Sequence, residues 1–455
     1  MKRALIILVI LVVGALLFPV SNLVVGAPLV KLASGSADPG LGKVASTLEQ
    51  KCTNCHTSKP VLPFYASFPV AKGMIEADMR QGLRFLDLVG ALSPESGAAV
   101  NPAVLAKLEY TVQRDEMPPG RYRMLHWDGG LSQAEKDALL GWIREVRKSN
   151  YATADAPANL QGQVLQPLPL AVAVDATKAA LGDRLYHDKR LSGDETVSCA
   201  SCHDLAKGGT DQLATSTGIR EQKGPINAPT VFNAGFQVLQ FWDGRAKDLQ
   251  EQAAGPVENP LEMGATWDEV IAKLGQDEAL VTEFTAAYPD GLSKANVTHA
   301  IAEFEKTLVT PNSKFDKYLR GDQAALDDAE KKGHQVFADR GCTNCHVGSL
   351  LGGASFELMG LWKDYFKVRG NVNDADNGRF SVTKKDSDLH RFKVPTLRNV
   401  ALTQPYFHDG SKATLEEAVR DMGTYQLEQP LRDDEVTALV AFLKAQTGEL
   451  NGKPL

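Results

Sequence analysis

Cys199-Ala-Ser-Cys-His203 decides the reading of this chain, and it does not stand alone: Cys52-Thr-Asn-Cys-His56 and Cys342-Thr-Asn-Cys-His346 repeat its pattern. In Cys-x-x-Cys-His the two thiols bond the edge of a porphyrin and the adjacent imidazole is carried under the iron, the arrangement of covalently attached haem c. The three motifs use all 6 cysteines, so none is left for a disulfide or a four-sulfur zinc site. Three haem c groups are therefore expected on Cys52 and Cys55, Cys199 and Cys202, and Cys342 and Cys345. Their proximal iron ligands would be His56, His203 and His346.

The motifs begin 147 and 143 residues apart in a chain of 455, about one domain's worth each. Helical periodicity recurs in each third and strand-like alternation is nearly absent, so the expected class is mainly α, with three cytochrome-c-like haem domains. The expected boundaries are an N-terminal haem domain over 40–150, a linker over 151–169, a second haem domain over 170–313 and a third over 314–455. Ser132-Gln-Ala-Glu135 is a capping box ahead of Leu139, Leu140, Ile143 and Val146, and it predicts a helix. Asp433 to Gln446, stopped by Gly448, predicts another. A net charge of -7 without a long Lys and Arg run excludes nucleic acid as a partner.

At the N-terminus Lys2 and Arg3 precede an apolar run from Ala4 to Val20 and a second apolar stretch to Val30. A cleavable signal has an apolar region of about 7–15 residues, whereas a bilayer span needs about 20. Residues 1–31 are accordingly expected to be a transmembrane anchor rather than a signal sequence. The positive charges would stay in the cytoplasm and the haem domains would lie in the periplasm, at the inner membrane.

A shift of 166 residues aligns the second domain with the third. Pro229 meets Pro395, Thr230 meets Thr396, Asn233 meets Asn399, Phe241 meets Phe407, and Asp243-Gly244 meets Asp409-Gly410. Leu249 with Leu415 and Glu251 with Glu417 continue the series, which marks an internal duplication. The same shift sets Met422 against Pro256. A Met across from the proximal His closes a haem as an electron carrier, and a Pro has no donor to offer, so the second iron is expected to be open. In the first domain Met117, held between the stiff backbone of Pro118 and Pro119, is the favoured ligand. Met74, Met79, Met124 and above all His126 stay open as alternatives.

From Leu165 onward the chain resembles the bacterial di-haem cytochrome c peroxidases, through Leu185-Tyr-His-Asp-Lys-Arg-Leu191, Gly224-Pro-Ile-Asn-Ala-Pro-Thr230, Gln240-Phe-Trp-Asp-Gly-Arg245, Thr307-Leu-Val-Thr-Pro-Asn-Ser313 and Leu397-Arg-Asn-Val-Ala-Leu402. With Met117-Pro-Pro-Gly-Arg-Tyr122 and Leu125-His-Trp127 the resemblance extends to the membrane-anchored trihaem quinol peroxidases. It implies that hydrogen peroxide is reduced at the His203 haem, with the His346 and Met422 haem as electron donor. It places Gln252 and Glu262 on the open face, Glu262 moving the proton that peroxide cleavage requires. It sets Trp242 between the two haems and a calcium ion on Asn227, Thr403 and Pro405. Membrane quinol is the implied donor, with a soluble cytochrome as the alternative and a homodimer as the candidate assembly. A pure electron-transfer protein is the rival from another class. Many of these peroxidases block the peroxidatic iron with a loop histidine; here Ile219 stands at that place, so activation by reduction is not expected.

Overall fold

In the computed structural model residues 13, 20, 28–32, 38, 40–92 and 99–455 are described. They form two compact units, one of residues up to 152 with 162–164, the other of 153–161 with 165–455.

In the first unit, helix α1 (Pro102–Arg114) starts on Asn101, whose side chain accepts from the Ala103 amide, and stops where Asp115 turns left-handed at φ 56°. Helix α2 (Gln133–Asn150) begins with the expected capping box of Ser132 and Glu135. Val104, Leu105, Leu108 and Val112 of α1 join Leu139, Trp142, Ile143 and Val146 of α2 in a core with Leu48, Leu88 and Leu92. Each such buried side chain contributes about 1.5–3 kcal/mol. Arg147 of α2 is buried in the same region and is neutralised by Glu109 of α1 at 2.5 Å.

The second unit is built twice. Helix α3 (Ala176–Tyr186) packs on α5 (Lys294–Thr307), and α6 (Asp328–Asp339) packs on α8 (Asp433–Lys444). Both crossings turn on one glycine. A Cβ on Gly182 would lie 1.9 Å from the Ala300 carbonyl, and one on Gly333 would lie 2.0 Å from that of Ala438. Only an unsubstituted Cα lets the backbones approach so closely. The duplication continues in detail. Asn233 and Asn399 both take left-handed φ, 61° and 59°, and both donate to the Thr310 hydroxyl at 2.8 Å. Short loops then close through the bridges Gln240 to Ala246 and Tyr406 to Lys412, again 166 residues apart. Helix α4 (Leu249–Glu258) and helix α7 (Leu415–Gln426) follow them.

The class is mainly helical. Strands among the described residues are the pairs Phe356–Leu358 with Arg391–Lys393 and Glu449–Leu450 with Lys453–Pro454. The expected linker is partly packed: Leu165, Gln166 and Leu168 are buried, and the Leu168 amide donates to Asp316 at 3.0 Å. Asp316 in turn pairs with the fully buried Arg398 at 3.0 Å.

One expectation is corrected. The anchor over 1–31 falls, apart from Val13, Val20 and 28–31, outside the described residues. Among the described residues no helix is long and apolar enough to cross a membrane, which overturns the placement at the inner membrane.

Candidate active site

The three attachment motifs sit on single turns that stop at the histidine. Cys199–Cys202 is a four-residue helix capped by Ser198, and Cys342–Asn344 is a turn opened by Gly341 at φ 74°. No disulfide joins any of the six cysteines. Burial pushes the Cys52, Cys199 and Cys342 thiols up to about 12, which disfavours the thiolate that a metal site would need. His56 Nδ1 lies 3.1 Å from the Leu86 carbonyl and His346 Nδ1 lies 2.9 Å from that of Leu351. A carbonyl only accepts, so each Nδ1 carries the proton and each Nε2 keeps its lone pair for iron. His203 Nδ1 is buried and faces the Gly209 and Pro229 backbone, which favours its proton there. The donor set and the tautomers fit haem c.

Glu262 reaches the His203 motif from a turn after α4. Its carboxylate and that of Asp211 push the Cys202 thiol up, adding to burial, while Ser216 opposes them. The Glu262 carboxyl is itself raised by burial, against the field of Arg245 and a hydrogen bond from Asn259 Nδ2 at 2.7 Å. The turn is fixed at both ends. Met263 and Ala265 amides donate to the Pro256 and Val257 carbonyls at 3.2 and 2.8 Å, and the Ile219 amide donates to the Glu262 carbonyl at 2.8 Å. Gly218 lies so close that a Cβ there would stand 2.5 Å from the Glu262 oxygen. Ile219 is buried, packed toward Gly264. Gln252 and Pro256 share one face of α4, a turn apart, and both are half-buried. Met422 is half-buried at the matching place on α7.

Trp242 joins the two modules. Its Nε1 donates to the Asn227 carbonyl at 3.0 Å, and its ring stands edge-on to His408 with centroids 6.4 Å apart. The Asn227 amide donates to the His408 carbonyl at 2.7 Å, which brings Asn227 against the segment carrying Thr403 and Pro405. Asn227 Nδ2 donates to the Leu213 carbonyl at 2.8 Å, leaving Oδ1 as its ligand atom. A neutral set of oxygens completed by waters suits calcium.

In the first unit Met117 is partly exposed and His126 is engaged at both nitrogens, Nδ1 with the Tyr122 carbonyl and Nε2 with the Tyr65 hydroxyl, each at 3.0 Å.

Several contributors escaped the sequence reading. His408 Nε2 bonds Asp376 at 2.7 Å, and Arg369 bridges Asp376 and Asp409 at 2.5 and 2.6 Å. The guanidinium already supplies the cation those carboxylates need. Arg379 Nη1 grips the Trp242 loop at the Asp243 and Gly244 carbonyls, at 2.9 and 2.7 Å. Arg245 lies flat over Phe241 and pairs with Asp243 at 3.2 Å. Of these, Phe241, Asp243, Gly244, Arg245 and Asp409 stood in quoted stretches, and without assigned roles.

Comparison with known proteins agrees with this geometry. The family described as "Di-haem cytochrome c peroxidase" matches residues 176–324, "Haem-binding domain" matches 32–145 and "Cytochrome c" matches 330–447. The chain is 48% identical over 409 residues to "Cytochrome c peroxidase Ccp" of Escherichia coli, covering 89% of this chain and 88% of that protein. It is 46% identical over 299 residues to "Cytochrome c551 peroxidase" of Nitrosomonas europaea, covering 65% and 87%. Among solved structures, a MauG-like protein associated with microbial copper homeostasis superposes with a TM-score of 0.56 at 31% identity, covering 65% of this chain and 96% of that one.

Proposed function

The chain belongs to the di-haem cytochrome c peroxidase family and is a haem peroxidase, and from that premise we propose that it reduces hydrogen peroxide to two waters at the His203 site, with quinol as electron donor. Three haem c groups are proposed, held on His56 with Met117, on His203 alone, and on His346 with Met422. The first and third would supply electrons for the second, as the resemblance to the trihaem peroxidases implies. One calcium ion is proposed on Asn227 Oδ1 and the Thr403 and Pro405 carbonyls.

The observation that carries the reading is a raised, half-buried Glu262 carboxyl beside the Cys202 attachment point, in the module where Pro256 replaces Met422. When bound, haem supplies an iron that coordinates peroxide and passes electrons to it. The reaction consumes two electrons and two protons for each peroxide. Glu262 takes the proton from the oxygen nearer the motif and returns it to the farther one, which leaves as water. Desolvation brings the carboxyl toward neutrality, where it can both accept and release that proton. Asn259 and Ile219 hold it in register from the side-chain and main-chain ends. Gln252, uncharged, orients the peroxide by hydrogen bonding. Trp242 lies between the modules and assists transfer between them.

Glu262→Gln should lower peroxide turnover about 10²–10⁴-fold with haem absorbance intact. Unchanged turnover removes Glu262 from the mechanism. The names of the relatives favour a soluble cytochrome as second candidate donor. Turnover with a reduced cytochrome c but not with a reduced quinol analogue would replace the one donor by the other and leave the reaction standing.

A further inference from the structure

The offset of 166 residues pairs more than identical residues. It sets Asn227 against Lys393, Gln237 against Thr403, and Leu239 against Pro405. The backbone obeys this pairing, because the Asn227 amide donates to the His408 carbonyl at 2.7 Å and the Lys393 amide donates to the Trp242 carbonyl at 2.8 Å. Those are the same bond in the two copies, since Trp242 and His408 also stand 166 apart. Around Asn227 the proposed calcium site would use Oδ1 with the Thr403 and Pro405 carbonyls. Around Lys393 the matching positions are filled by protein: Nζ donates to the Leu239 carbonyl at 2.9 Å and to the Gln237 side-chain oxygen.

We propose that Lys393 is the resident cation of a second, pseudo-symmetric cation site, its ammonium standing where the calcium stands in the twin. The inference rests on the calcium reading above for the identity of the twin, and on the hydrogen bonds for the lysine itself. Its chemistry is consistent throughout. Lys393 is 5% exposed, and its acceptors are neutral oxygens, the donor type a hard cation selects. Among the described residues no carboxylate pairs with Nζ, so the ammonium is held as the ion would be, by oriented dipoles, with Asp243 contributing only at longer range. Burial against that weak compensation pushes the lysine down to about 7.

The consequence is an asymmetry of tethering. The loop carrying Trp242 is hydrogen-bonded to the third module by a side chain that belongs to the chain and is not lost to solvent, and again by Arg379. The loop carrying His408 is fastened to the second module by the Asn227 amide and, on the calcium reading, by an exchangeable ion. Chelation should therefore loosen the Thr403 to His408 segment and leave the Trp242 loop in place.

The test is the number of calcium ions retained per haem-loaded chain after dialysis, measured by atomic emission, for the wild type and two reciprocal variants. Lys393→Asn recreates the Asn227 arrangement and should raise the count from one to two. Asn227→Lys should lower it to zero and make the melting temperature insensitive to chelator. A Lys393→Asn count no higher than wild type overturns the inference, as does undiminished calcium in Asn227→Lys. If the wild type holds none and Lys393→Asn holds one, the calcium reading fails while the lysine inference stands.

Discussion

Gly218→Ala isolates the contact that aims Glu262. Gly218 has φ -92°, which any residue adopts, so the added methyl carries no conformational penalty and its cost is purely steric. The new Cβ would lie 2.2 Å from the Leu261 carbonyl, 2.5 Å from that of Glu262 and 2.7 Å from the Glu262 Cα. All three atoms are backbone, and no side chain can swing away. Restoring ordinary contact requires roughly 1 Å of movement in the turn that carries the carboxylate. A displacement of that size in a reacting group costs about 10²-fold in rate, or about 2.7 kcal/mol in the barrier. The overpacking should cost about 1–3 kcal/mol in stability, too little to unfold the unit. The assay is initial peroxide consumption with one saturating donor, alongside haem absorbance and a thermal midpoint. Gly224→Ala in the same loop is the control, since its Cβ would meet nothing nearer than the Ser216 carbonyl at 3.6 Å. Gly218→Ala with wild-type turnover, or Gly224→Ala with an equal loss, would refute the reasoning.

Two further outcomes follow from groups near the His203 motif. Glu305 on α5 has a buried carboxyl oxygen without a partner, and burial raises it from 4.5 to about 8. Below the lower value both folded and unfolded chains hold the proton and stability is full; between the two only the folded chain holds it, so stability falls as pH rises, by about 1.4 kcal/mol per unit at the steepest. Glu305→Gln should flatten that decline in urea midpoints taken across the interval, and an unchanged slope would disprove the assignment. Ile219 has no donor to block the iron, so the oxidised protein should show a high-spin haem signal without prior reduction; a purely low-spin spectrum would contradict this.

The parts legible in the sequence are those that a short stretch encodes by itself. The Cys-x-x-Cys-His motifs, the Ser132 to Glu135 cap and the contrast of Pro256 with Met422 need no knowledge of distant packing. The contact of Gly218 with Glu262 joins backbones far apart in the chain and leaves no pattern in side-chain types. Gly182 and Gly333 are equally mute, because a glycine that admits a crossing helix reads like one in a loop. The stretch 151–169 has the composition of a linker, yet Leu168 is fastened by Asp316, 148 residues away in sequence. Lys393 is mute for a different reason: Asn and Lys share no chemistry that would mark Asn227 and Lys393 as one backbone position in the two copies.

Duplicated modules diverge where function asks them to, and the pattern of divergence here separates scaffold from chemistry. Positions dictated by backbone conformation stay alike in both copies, as Asn233 and Asn399, Phe241 and Phe407, and Gly244 and Gly410 all keep positive φ. An L-residue other than Gly or Asn is disfavoured at such φ, so retaining Phe at both places shows surrounding structure strong enough to impose it. Elsewhere the side chains differ at many positions, and three of those differences bear on the proposed function. Pro256 against Met422 would remove a ligand, Trp242 against His408 sets an indole in one module and a partner for Asp376 in the other, and Lys393 against Asn227 would exchange a built-in charge for a bound one. On the proposed function, these three differences set the direction in which a symmetric frame would carry electrons.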